Sequence, residues 1–304
     1  PEQQTGGTRG IIAGGSNPSS FDVIQYINVD TTGDAIDFGD LTETFYGGAC
    51  GSATRGFWFG GSPSDNRIEY VEFATTSNAI DFGDLTATIQ YSPSGVSDKT
   101  RGIRVGGATS PTASINIMDY WTMPSKGNAL DFGDMATATR FSGSCNSATR
   151  GVITAGSTGP AGTDRIEYIT MQTTGNGVDF GDMTAAWQSS GNGACGSSTR
   201  GVIVVGWVSP AYVNTVEFVT ITTLGNSQDF GDLSQTRGYS STTSSSTRAI
   251  HAGGYSPATS PASAYVNTID YCTIATKGNF VDFGDRTVAG SYCSGTSNGH
   301  GGLG

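Results

Sequence analysis

"DAIDFGDLT" (34–42) and "NAIDFGDLT" (78–86) differ only in their first residue. The shared Asp-Phe-Gly-Asp recurs six times, at 37–40, 81–84, 131–134, 179–182, 229–232 and 282–285, with intervals of 44, 50, 48, 50 and 53 residues. A second tag keeps step: Thr-Arg-Gly, Thr-Arg-Ala in the last copy, with its arginine at Arg9, Arg55, Arg101, Arg150, Arg200 and Arg248. One further Thr-Arg-Gly, at Arg237, is out of step. The period is close to 50, the chain is rich in Gly, Ser, Thr and β-branched residues, and no helical apolar stripe is present. These features predict an all-β chain: a six-bladed β-propeller of four-stranded antiparallel blades, one domain over 1–304.

Each repeat divides into four runs. A small-residue run such as "FSGSCNSA" (141–148) should be innermost, because Gly, Ser and Cys allow blades to crowd near an axis. The second strand follows the arginine tag, as in "RGFWFGG" (55–61), and ends on Gly. An alternating strand such as "IEYVEF" (68–73) comes third, and the Asp-Phe-Gly-Asp strand is outermost. The chain enters at a second strand, and "VAGSYCSGTSNG" (288–299) reads as the missing first one. Pairing tail with head would leave no open edge between the end blades.

Composition excludes several classes. The net charge is −11, with 15 basic against 26 acidic residues, so a nucleic-acid footprint is lacking and anionic membranes are unsuitable partners. No apolar run is long enough to span a bilayer. The chain starts with Pro and no basic-then-apolar leader, which fits a processed or excised piece. Five cysteines without a CxxC pair, and two histidines, give no zinc pattern.

Comparing the copies separates fixed turns from variable ones. The Gly closing the second strand always lies six positions after the tag arginine, and the opener of the third strand (Ile24, Ile68, Met118, Ile166, Val216, Ile269) always lies 13 before the first tag Asp. Between that Gly and the opener lie 8, 6, 10, 9, 9 and 14 residues, and the step from the second tag Asp to the next arginine is 15 to 18. In an up-and-down blade both variable connections fall on one face, which is therefore expected to hold the ligand.

The repeats resemble kelch-type propellers. The matching features are the Gly-Gly strand end (Gly14-Gly15, Gly60-Gly61, Gly106-Gly107, Gly253-Gly254), the Asn or Asp before the third strand (Asn66, Asn116, Asp164, Asn214, Asn267) and acidic–Tyr pairs such as Glu69-Tyr70 and Asp270-Tyr271. Where kelch repeats usually place Trp in the fourth strand, this chain has Phe38, Phe82, Phe132, Phe180, Phe230 and Phe283. The tag is also similar to the sialidase Asp-box turn, though no arginine cluster of that family can be placed. The Asp-Phe-Gly-Asp repeats further resemble those of marine bacteriophage structural proteins. The resemblances imply a propeller fold and a virion or cell-surface context.

Within the tag, the kinase reading fails, because a kinase uses the string once and with partners absent here. Phe should pack between blades and Gly should allow close backbone approach. One Asp of each copy (Asp37, Asp81, Asp131, Asp179, Asp229 and Asp282 begin them) should cap turn amides or meet the tag arginine. The arginines should bond to carbonyls or acidic neighbours. No cofactor is expected, and calcium is the one cation that the twelve carboxylates could suit. Cys50, Cys145, Cys195 and Cys293, four residues before a Thr or Ser, read as equivalent small buried thiols. Cys272 reads as unpaired, His251 as structural and His300 as solvated.

The candidate ligand-binding residues are aromatic. Tyr46, Tyr91, Phe141, Trp187 and Tyr239 stand near the start of the innermost strand, Trp207 and Tyr255 follow the strand-ending Gly, and Tyr212 and Tyr265 sit in two copies of "AYVNT". Such rings stack on sugar C–H faces or anchor protein interfaces, with blade-to-blade packing as the competing reading. Histidine is too scarce for a nucleophile–base pair or a copper-radical site. Most carboxylates repeat from blade to blade, unlike a one-off catalytic pair. The expectation is a non-catalytic binding module for a glycan or protein, extracellular or virion-associated. Alternatives are an assembly component docking other virion or appendage subunits and, least favoured, a glycan-active hydrolase.

Overall fold

The structure is a computed structural model and describes residues 6–45, 47–61, 64–111, 113–159, 161–187, 191–257 and 264–304. Six four-stranded antiparallel blades form a propeller. From the axis outward, blade 1 is Ser294–Ser297, Arg9–Ser16, Ser20–Asn28 and Ile36–Asp40. Blade 2 is Gly48–Gly51, Arg55–Phe59, Asp65–Glu72 and Ile80–Ile89; blade 3 is Ser94–Ser97, Arg101–Val105, Ile117–Thr122 and Leu130–Asp134. Blade 4 is Gly143–Asn146, Arg150–Ser157, Gly162–Thr170 and Val178–Trp187; blade 5 is Ala194–Gly196, Arg200–Val204, Thr215–Thr220 and Gln228–Asp232. Blade 6 is Ser240–Ser244, Arg248–Ala252, Thr268–Thr273 and Val281–Asp285, and Gly191–Asn192 runs parallel to its inner strand. The tail closes the ring as expected, with Gly10 opposite Ser297 and Ala13 opposite Ser294.

Alternation along each strand sends apolar side chains into the seams, so the core lies between blades. Phe57, Phe59 and Phe82 of blade 2, for example, pack with Trp121 and Met123 of blade 3. Both repeated tags act at these seams. Each tag arginine lays its guanidinium over the aromatic ring of its own third strand, 4.6–4.8 Å from the centroids of Tyr26, Tyr70, Tyr120, Tyr168, Phe218 and Tyr271. Its Nη1 then donates to a carbonyl of the next blade: Arg9 to Phe73, Arg55 to Met123, Arg101 to Met171, Arg150 to Ile221, Arg200 to Ile274 and Arg248 to Val29. The last bond spans the closing seam, which is held like the others. Carbonyl binding agrees with the sequence reading; Arg55 also pairs with Glu72 at 2.7 Å.

The Asp-Phe-Gly-Asp strand clasps the following blade through its backbone. In blade 4, Gly225 N donates to Phe180 O at 2.9 Å, Asp182 N to Asn226 Oδ1 at 3.0 Å and Ser227 N to Asp182 O at 2.9 Å. The glycine is required there. Gly181 has φ +149°, and a Cβ on it would lie 2.5 Å from the Gly225 carbonyl. The expectation that a tag carboxylate caps amides or meets the tag arginine is corrected: the second Asp works through its peptide, and Asp37, Asp81, Asp131, Asp179, Asp229 and Asp282 are exposed. The carboxylates that do cap amides across the seams belong to the third strands. Glu167 accepts from Ala136 N at 2.8 Å and Thr137 N at 3.0 Å, and Glu69, Asp119, Glu217 and Asp270 hold equivalent buried positions.

The inner strands surround an axial cavity of about 60 Å³ lined by groups including Cys50, Cys145, Cys195, Ser97, Asn146 and Thr296. Its fixed-turn end is covered by residues 300–304. His300 Nε2 donates to Gly51 O at 2.7 Å, its Nδ1 accepts from Gly302 N at 3.2 Å, and Leu303 is fully buried. His300 is therefore a half-buried plug residue, not a solvated one. Cys293 also departs from expectation. The ladder puts Thr296 opposite Ile11 as it puts Cys145 opposite Val152, so Cys293 stands three positions before the site that Cys145 fills. All five cysteines are free thiols, and burial pushes Cys145 and Cys195 up to about 12.

Candidate functional site: an aromatic cap over the axis

The connections entering the inner strands and those between second and third strands meet on one face, as the backbone pairs Tyr91–Ala108, Arg140–Ser157 and Gly238–Tyr255 show. Among the described residues, three blades carry an aromatic two residues before the inner strand position that opposes the fifth residue of the arginine tag strand. These are Phe141 on blade 4, Tyr239 on blade 6 and Tyr292 on blade 1, with φ of 56°, 57° and 59°. A left-handed backbone costs a bulky L-residue energy, and the same outlier recurs on these three blades.

Blades 1 and 4 face each other across the ring, yet the rings of Phe141 and Tyr292 are only 6.0 Å apart. The aromatics therefore meet over the axis. Tyr239 contacts Tyr292 at 4.6 Å and Phe141 at 6.1 Å, and Tyr91 of blade 3 joins Phe141 at 6.3 Å. The array continues toward the rim on two small hairpins that rise from blades 5 and 6. In Trp207–Val208 with Ala211–Tyr212, Trp207 pairs with Tyr212; in Tyr255–Ser256 with Ala264–Tyr265, Tyr255 pairs with Tyr265. Tyr212 links these hairpins to the centre, 4.6 Å from Trp207, 5.8 Å from Tyr255 and 6.1 Å from Tyr239. All eight aromatic residues are half-buried. Burial, then its Tyr239 and Tyr255 neighbours, push the Tyr212 phenol up, so it stays a neutral hydrogen-bond donor and acceptor.

Seven of the nine predicted residues thus belong to one connected surface: Tyr91, Phe141, Trp207, Tyr212, Tyr239, Tyr255 and Tyr265. Tyr46 lies outside the described residues. Trp187 does not belong to the cap. The outer strand of blade 4 runs on past its tag to Trp187, which pairs with Thr163 and is fully buried among Val152, Ile166 and Phe180. Tyr292 was missed. Its signal lies in the spacing: Phe141, Tyr239 and Tyr292 each stand seven residues after the second Asp of the preceding tag.

A second unanticipated cluster lies beside the cap. The out-of-step Arg237 is fully buried and bonds through Nη2 to Asp270 at 2.8 Å and through Nε to His251 Nδ1 at 3.1 Å, while His251 Nε2 meets Ser240 Oγ. This is a serine–histidine contact, but its polarity is wrong for a nucleophile. Arg237 can only donate, so Nδ1 is the acceptor and the proton sits on Nε2, directed at the serine. Burial, then Arg237, hold His251 well below its ordinary value, and Ser240 is fully buried. Among the described residues, no three His, Cys, Asp or Glu side chains are placed to share a metal. No protein-family model and no curated protein matches the chain.

Proposed function

We propose that the chain is a non-catalytic binding module that takes glycan ligands on the aromatic cap. The observation that carries this reading is the trio Phe141, Tyr239 and Tyr292, turned over the axis at a cost in backbone energy and extended by Trp207, Tyr212, Tyr255 and Tyr265. Sugar rings offer flat C–H faces bordered by hydroxyls. Half-buried tyrosines match both parts, with an apolar face and a polar tip. The array also breaks the sixfold repeat, as a site for one particular ligand must. This reading fits a protein exposed on a virion or outside the cell, where glycans are met, and it invokes no cofactor.

The test is a glycan array probed with the chain, followed by Tyr239→Ala and Trp207→Ala. Truncating a central aromatic anchor should weaken binding by about tenfold or more. The proposal falls if no glycan is retained, or if both variants bind like the parent.

One observation favours an assembly role as a second reading. The residue before the tag is an exposed apolar one on five blades: Ile36, Ile80, Leu130, Val178 and Val281, each 50–59% exposed. Such a ring on the outer strands would suit contacts to neighbouring subunits. Light scattering on the parent and on Leu130→Asp tests it: a concentration-dependent oligomer abolished by the substitution supports it, and a monomer throughout refutes it.

A further inference from the structure

Four arginines outside the repeated tag are buried: Arg104, Arg140, Arg237 and Arg286. Burying a guanidinium is costly unless its charge and donors are matched. Arg104 and Arg237 are matched by Asp119 and Asp270 at 2.5 and 2.8 Å. Arg286, deep in the closing seam, gives Nη1 to Gly290 O and the Cys293 sulfur, and its Nε and Nη2 have no partner. Arg140 differs from Arg104 and Arg237 in having no acidic partner among the described residues, and from Arg286 in its place. It immediately precedes Phe141 on the loop face, its guanidinium carbon lies 5.7 Å from the Phe141 ring centroid, and it is 9% exposed. Its one side-chain bond is a long one, Nη2 to Gly159 O at 3.4 Å, while Nε and Nη1 have no partner. Arg140 makes no ion pair among the described residues. Burial lowers its pKa, and Tyr91 is near enough to oppose that shift.

We infer that Arg140, with Tyr91 and Phe141 beside it, is an anion subsite of the aromatic cap, and that the glycan it takes is acidic, carrying a carboxylate or a sulfate. This rests on the glycan reading above and narrows it. A carboxylate or sulfate presents two oxygens at the spacing of the guanidinium fork; the idle donors are buried from solvent, so the anion would take them as the guanidinium turns outward and gives up the weak Gly159 bond. The sugar ring bearing the anion would then lie against Phe141 and Tyr91, with neighbouring sugars running over Tyr239 toward Tyr212. The net charge of −11 does not oppose this locally. Seventeen of the 26 acidic residues are the twelve tag carboxylates on the outer strands and the five buried third-strand acids, and exposed charges beyond roughly 8 Å are screened at physiological salt.

The experiment is an array holding neutral, carboxylated and sulfated glycans, with carboxyl-reduced and desulfated versions of each acidic member. It is probed with the parent, Arg140→Gln and Arg140→Lys, each confirmed as folded by circular dichroism. A charge-assisted bidentate contact predicts that acidic glycans bind the parent about tenfold or more tighter than their neutralised versions. The ratio should collapse toward one in Arg140→Gln and survive in part in Arg140→Lys. Preference for only the carboxylated or only the sulfated set would identify which anion is used. Binding to neutral glycans alone, or equal binding of acidic and neutralised pairs, overturns the anion subsite and leaves the cap as a glycan platform. Retention of no glycan at all overturns both. The ligand-side comparison decides the matter even if Arg140→Gln does not fold.

Discussion

Gly181→Ala examines the seam clasp with a single methyl group. The added Cβ would lie 2.5 Å from the carbonyl carbon and oxygen of Gly225, both backbone atoms, at a φ of +149°. The backbone conformation alone costs an alanine on the order of 1–3 kcal/mol. Relief of the clash must open the seam at Gly225 N–Phe180 O, Asp182 N–Asn226 Oδ1 and Ser227 N–Asp182 O, and losing even one or two such bonds costs about 1 kcal/mol each. The expected loss is about 3 kcal/mol. Urea unfolding followed by tryptophan fluorescence reads it directly. The control lies six residues upstream. Gly175, in the turn of the same blade, has open space where a Cβ would stand, with nothing within 4 Å, and no left-handed φ, so Gly175→Ala should change stability by less than about 0.5 kcal/mol. If the two variants unfold at the same urea concentration, the tag glycine is not holding blades together and the account of the repeat fails.

Other consequences can be measured on the same chain. Arg150→Ala removes the stack on Tyr168 and the bond to the buried Ile221 carbonyl, and should cost about 2 kcal/mol, with Arg150→Lys losing roughly half as much. Asp270→Ala leaves Arg237 buried and unmatched and should cost roughly 3–5 kcal/mol, whereas Asp270→Leu with Arg237→Met should cost much less; similar losses for the two would refute the pairing argument. Burial, opposed by the Gly51 carbonyl and Asp98, lowers the His300 pKa, so its contribution is complete above the unfolded value of about 6.5 and is lost as pH falls below it; the parent should lose more stability than His300→Gln between about pH 7 and pH 5. Thiols raised to about 12 at Cys145 and Cys195 should resist a disulfide reagent at neutral pH in the native chain and react in a burst on unfolding.

The blade count, the strand order, the closing strand and the face that gathers the aromatics were all legible, because each follows from spacing between identical strings. What was not legible depended on where a strand stops or slides. Trp187 reads like Tyr239 by position, but the outer strand of blade 4 extends ten residues, Val178–Trp187, whereas that of blade 5, which precedes Tyr239, ends at Asp232; the extension turns Trp187 into the sheet. Cys293 matches the other inner-strand cysteines in its distance from a Thr or Ser but lies three positions before their place in the ladder, which hides the equivalence of Tyr292 to Phe141. Which carbonyls the tag arginines bind could not be read, since Arg150 and the Ile221 carbonyl lie 71 residues apart and meet only when two blades are adjacent. Arg140 carried no sequence signal beyond being an arginine; its idle donors are visible only once the fold buries them.

The two hairpins that bear Trp207, Tyr212, Tyr255 and Tyr265 stand outside the four-stranded ladders. None of the seam-spanning bonds of the tags runs through them. Their sequences can therefore drift, lengthen or be swapped between relatives without disturbing the rigid wheel beneath. If the cap binds as proposed, selectivity and durability are encoded in separate stretches of the chain, and a changed target could be met by rewriting the hairpins alone.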